Sequence, residues 1–71
     1  MASAKKELKR KKAEYGRRVE EIDGIRAQLN CAYSAFDSVT DPDMMDVCIF
    51  EIHALRSRYN YALINLRKME I

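Results

Sequence analysis

Almost everything that would make a sheet, a cage or a cleft is scarce in this 71-residue chain. It has one proline, two glycines, no tryptophan and a single histidine. So few turn formers leave no room for the tight reversals of an antiparallel sheet. With one histidine, His53, and two cysteines, Cys31 and Cys48, metal ligands are scarce, and Cys48 lies five residues before His53, on another helix face rather than at ligand spacing. His53 also has no second histidine to orient it for general acid–base work. No apolar run approaches the ~18 residues of a membrane span, and no apolar stretch of a signal peptide follows the first methionine. The expectation is a cytoplasmic protein with reduced cysteines. No cofactor, metal, small-molecule substrate, membrane association or catalytic activity is expected.

What is present suits packed helices. Hydrophobic residues make up 48% and charged residues 34%. In the first half, Leu8, Tyr15, Ile22, Leu29 and Phe36 recur every seven residues, with Val19, Ile25 and Ala32 between them. In the second half, Met45, Cys48, Ile52, Leu55, Tyr59, Ala62, Leu66 and Met69 alternate spacings of three and four. Both are helical stripes, and the second is a coiled-coil seam. Gly16 and Gly24 interrupt the first stripe, either as tolerated surface glycines or as places where another helix approaches closely.

The one strong break is Val39-Thr40-Asp41-Pro42-Asp43. Proline has no N–H and a fixed φ, so it suits the first turn of a helix. Two caps fit. With Thr40 as N-cap, Asp43 reaches back in a short capping box and Val39 staples onto Met44. With Asp41 as N-cap, Pro42 takes the first helical position. In either case Asp41, Asp43 and Asp46 put negative charge at the positive end of the helix dipole. A calcium loop would need ligands at alternating positions, a glycine at the bend and a glutamate near the twelfth position, whereas here a proline occupies the middle and a helix follows at once. The sequence therefore predicts an all-α, two-helix antiparallel hairpin as a single domain over 1–71. Helix 1 covers about 3–37, the turn 38–41 and helix 2 about 41–69.

A hairpin this small is marginal alone. Helix 2 carries a second apolar set, Val47, Phe50, Ala54, Tyr61 and Ile64, off the seam. Helix 1 covers one side only, so this set is the expected interface of a dimer that completes a four-helix bundle. Tyr59 is expected in the hairpin core and Tyr61 in the dimer interface. Cys48 lies on the seam and Cys31 off the core stripe, which does not favour a bridge between them.

Charge is strongly polarised. Residues 5–18 hold Lys5, Lys6, Lys9, Arg10, Lys11, Lys12, Arg17 and Arg18 against Glu7 and Glu14, a net of +6. Residues 37–51 hold Asp37, Asp41, Asp43, Asp46 and Glu51 with no basic residue, a net of −5. The basic stretch is expected beside the end of helix 2, near Arg67 and Lys68. A solvated face, antiparallel packing of basic end against acidic tip, and contact with nucleic-acid phosphates all fit it. Lys9, Arg10, Lys11, Lys12, Arg17 and Arg18 are the candidate phosphate contacts. No base-reading motif accompanies them, so such binding would be weak and nonspecific.

Phe36-Asp37-Ser38-Val39-Thr40-Asp41-Pro42-Asp43-Met44-Met45-Asp46, then Ile49-Phe50-Glu51 and Arg58-Tyr59-Asn60-Tyr61-Ala62-Leu63, resembles the YaaL-type family. These are short bacterial proteins, mainly of spore-forming Gram-positive bacteria, assigned to a domain of unknown function. The resemblance spans about Leu29 to Lys68 and leaves the basic arm unmatched. It implies a cytoplasmic bacterial protein with no assigned activity and no catalytic residues to transfer. The function expected is a noncatalytic interaction or scaffold protein acting as a dimer, with an unidentified protein partner. The alternative is a weak nucleic-acid-associated protein.

Overall fold

The computed structural model describes residues 2–69, Ala2 by its backbone alone. Two α-helices account for nearly all of it: α1, Ala2–Ser38, and α2, Pro42–Arg67. At about 1.5 Å per residue they are about 55 Å and 39 Å long. They pack against each other across a link of only three residues, 39–41. The molecule measures 62 × 16 × 11 Å, two helices wide and one helix thick.

The two stripes meet. Ile22, Ile25 and Ala32 of α1 and Cys48 of α2 are the buried core. Tyr15, Val19, Leu29 and Phe36 on one side, and Met45, Ile52, Leu55, Tyr59, Ala62 and Leu66 on the other, are half-buried around it. Side chains at these spacings share one helix face, so each helix offers the other a continuous ridge. Leu8 is the exception in the sevenfold series. It is exposed, because α2 does not extend far enough to reach it.

Register is marked by Arg26 and Tyr59. The Arg26 guanidinium donates to the Tyr59 hydroxyl at 2.8 Å and lies 5.7 Å from the ring centroid. That hydrogen bond, aided by Asp23, holds the Arg26 pKa above its ordinary value. Arg18, Glu21 and Ile25 share a hollow with Arg58, Tyr61, Ala62 and Asn65. The end of α2 therefore lies beside residues 14–18 of α1. Residues 3–13 project beyond it and are all exposed. This corrects the expectation that the whole basic stretch flanks Arg67 and Lys68: the lysines from Lys5 to Lys12 lie on an overhang.

The turn chooses between the two caps. Asp41 is the N-cap of α2, in an extended conformation (φ −77°, ψ 129°). Its Oδ1 accepts from the Asp43 N–H at 2.8 Å and the Met44 N–H at 3.2 Å. The first helical bond follows, from the Met45 N–H to the Asp41 carbonyl at 2.9 Å. Thr40 is not the cap, and α2 begins at Pro42, close to the expected start at about 41. Proline disfavours the helical region for the residue before it. With Thr40 as cap, Asp41 would have to be helical; as the cap itself, Asp41 is extended as required. The staple between Val39 and Met44 belonged to the Thr40 cap and falls away with it. Asp43 contributes its N–H and a first-turn negative charge, not a reciprocal capping bond.

α1 ends without a glycine. The Ser38 hydroxyl donates to the carbonyls of Ser34 and Ala35, both at 3.2 Å, and the Val39 N–H reaches the Phe36 carbonyl at 3.3 Å. Gly16 and Gly24 are both helical with negative φ, and an added Cβ at either would meet nothing within 4 Å. Within the hairpin both behave as surface glycines.

Candidate interaction surfaces

The hairpin leaves a great deal of apolar surface uncovered. On α2, Phe50 is 74% exposed, Tyr61 70%, Ile64 50% and Val47 43%. Ala54 lies among them and is exposed too. These residues follow the same three–four spacing as the buried seam but sit about 150° further round the helix, at 100° per residue. Tyr59 and Tyr61, two residues apart, differ in burial: Tyr59 packs on α1, while Tyr61 stays largely exposed at the edge of the hollow it shares with Arg18 and Ile25. Met44 and Ile49 of α2 and Tyr33 of α1 are further large apolar side chains at the surface.

The magnitudes show how incomplete the isolated hairpin is. Its accessible surface is 5906 Å². A compact monomer of 8.3 kDa would expose about 4,600 Å². Its radius of gyration, 17.4 Å, compares with about 11 Å for a globular domain of this length. A two-layer rod has no inside in which to hide a second apolar stripe.

The second surface is the basic overhang. Arg10 pairs with Glu7 three residues earlier. Arg17 lies 3.9 Å from Glu14, and Arg18 lies 3.5 Å from Glu14 and 3.9 Å from Glu21. Such exposed pairs one helical turn apart contribute only tenths of a kcal/mol. Among the described residues, Lys5, Lys6, Lys9, Lys11 and Lys12 show no carboxylate partner. The six candidate phosphate contacts therefore divide: Lys9, Lys11 and Lys12 are free, while Arg10, Arg17 and Arg18 are paired within α1. The charges of α1 also oppose its own dipole. No acidic residue lies in its first turn, no basic residue in its last, and Asp37 sits near the negative end. Helix stability alone does not account for this layout.

Other chemistry-bearing residues do not converge. His53 and Cys31 are exposed and Cys48 is buried on the seam. Among the described residues no three His, Cys, Asp or Glu side chains group as metal ligands. The hollow between the helices holds about 60 Å³, below the roughly 300 Å³ where small-molecule pockets begin. No described helix is long and apolar enough to cross a membrane.

The signal that could have located the overhang was present in the spacing. The apolar ladder of the second half runs only to Met69, which leaves no described residue of α2 to pair with residues before about 14. No family model matches the chain, and neither the curated proteins nor the solved structures compared with it include a match.

Proposed function

We propose that this chain is a noncatalytic interaction protein that works as a self-associated helical hairpin, two copies joining through α2 into a four-helix assembly. The observation that carries this reading is the exposed row Val47, Phe50, Ala54, Tyr61 and Ile64, the same five residues expected at a dimer interface. A contiguous apolar stripe of this kind marks an association surface on a small helical protein. The four larger side chains alone offer about 500 Å² per protomer, taking roughly 150 Å² for each aromatic ring and less for each aliphatic. Doubled, that makes about 1,000 Å² of apolar surface available for burial, so an interface of specific size also draws on the residues that flank the row. The resemblance to the cytoplasmic YaaL-type bacterial proteins agrees with a small protein without catalytic machinery, whose partner within the cell is another protein. Sedimentation velocity at micromolar concentration is the test. A dimer is expected, and a stable monomer at tens of micromolar would end the proposal.

A second reading rests on a different observation, the exposed lysines of the overhang. They suit loose, sequence-nonspecific contact with nucleic-acid phosphates. Binding to a generic duplex should then be detectable at low salt, indifferent to sequence and nearly lost at physiological ionic strength. Tight, sequence-selective binding that survives physiological salt would replace the scaffold reading with this one.

A further inference from the structure

The outward face of α2 is more regular than its apolar residues suggest. Extended at the same spacing, the row reads Asp43, Val47, Phe50, Ala54, Ser57, Tyr61, Ile64 and Lys68, with steps of four and three alternating throughout. All eight are exposed, so the row is an unbroken second seam. It begins with a negative charge and ends with a positive one. Between them, residues of like kind stand at equal distances from the midpoint.

We infer that this seam receives a second copy of the same chain in antiparallel orientation, α2 against α2, about a two-fold axis passing between Ala54 and Ser57. This rests on the self-association proposed above and adds its orientation and its contacts. A two-fold contact must be self-complementary, and about this axis the row is. Ala54 meets the partner's Ser57, small against small at the crossing point. Phe50 meets the partner's Tyr61, ring against ring. Val47 meets the partner's Ile64, and Asp43 meets the partner's Lys68.

The flanking positions agree independently. On one side of the seam Glu51 falls beside the partner's Arg58. On the other, Asp46 falls beside the partner's Arg67. All four are exposed in the hairpin. Flanking charges of this kind set partner choice and orientation in coiled coils. Parallel pairing reverses the balance: Asp43 stacks on its own copy, Lys68 does likewise, and Asp46 falls beside the partner's Glu51. One orientation satisfies the charges and the other sets like against like, which is how sequences exclude the wrong assembly.

Antiparallel pairing also uses the polarity of the whole rod. It sets the acidic tip of one hairpin level with Arg17 and Arg18 of the other, across the width of α2. The lysines nearest the start of α1 extend past that tip and stay accessible at both ends of the dimer.

The experiment is pairwise cross-linking combined with sedimentation. Full-length chains carrying Val47→Cys or Ile64→Cys, each with Cys31→Ser and Cys48→Ala, are mixed in equal amounts in a glutathione redox buffer. Circular dichroism checks that each remains helical. The mixed 47–64 disulfide is expected to dominate, with little 47–47 or 64–64 product. Charge exchange gives a second measurement without cysteines. Asp43→Lys and Lys68→Asp singly should each raise the dimer Kd at least about tenfold, and the double exchange should restore it. A dimer that links 47 to 47, or one that links neither pair and ignores the exchanges, overturns the orientation while leaving self-association intact. A wild-type monomer overturns both.

Discussion

Replacing Phe50 by alanine separates folding from association more sharply than any other change. The ring is 74% exposed on the hairpin and takes no part in the seam with α1. That corresponds to roughly 150 Å² of surface available for burial. At about 25 cal/mol per Å², full burial would be worth about 4 kcal/mol per ring. If a partner covers half of it, the loss is about 2 kcal/mol per ring and about 4 kcal/mol per dimer, roughly a thousandfold in Kd. The monomer should suffer little, since the ring lies off the seam with α1 and alanine is the better helix former by a few tenths of a kcal/mol. Sedimentation velocity from about 1 to 100 µM should show the wild type as dimer over a range where Phe50→Ala is monomer. Circular dichroism at concentrations where both are monomeric should show equal helix content. Phe50→Lys should weaken association further by placing a charge in each half of the interface. Unchanged association would refute the assignment of this face, and a collapse of the monomer's helicity would show that Phe50 belongs to the hairpin core after all.

Asp41→Ala should destabilise the protein by about 0.5–2 kcal/mol, whereas Thr40→Ala should be nearly silent in thermal melts; the reverse order would return the cap to Thr40. Gly16→Ala and Gly24→Ala should each stabilise the fold by roughly 0.5–1 kcal/mol, because an added Cβ meets nothing and the unfolded chain loses freedom. If either substitution instead weakens the dimer in sedimentation, that glycine lies against a second chain. In pulsed maleimide labelling, Cys31 should react at once, while Cys48 should react only as fast as the structure opens; equal rates would place Cys48 outside the core.

The helical class, the single break and the two stripes were legible in the sequence because each depends on local chemistry. Spacing by three and four commits a segment to a helix with one sticky side. The lone proline, with aspartate before it, commits the chain to ending one helix and starting another. Even the cap was within reach, since proline's effect on the preceding residue favours Asp41 over Thr40, although a capping-box pattern centred on Thr40 competes with it. The second apolar set on α2 could be named from spacing alone for the same reason. What required the tertiary structure was which parts of each stripe actually meet. Leu8 belongs to the sevenfold series as firmly as Ile22, yet one is exposed and the other buried. The difference is set by where α2 stops, not by anything near Leu8. The pairing of Arg26 with Tyr59, 33 residues apart, likewise arises from register across the hairpin, and so does the projection of the lysine-rich arm beyond the end of α2. Local patterning specifies which faces are apolar, but burial depends on the length and alignment of the partner helix, a property of two segments together that neither carries alone.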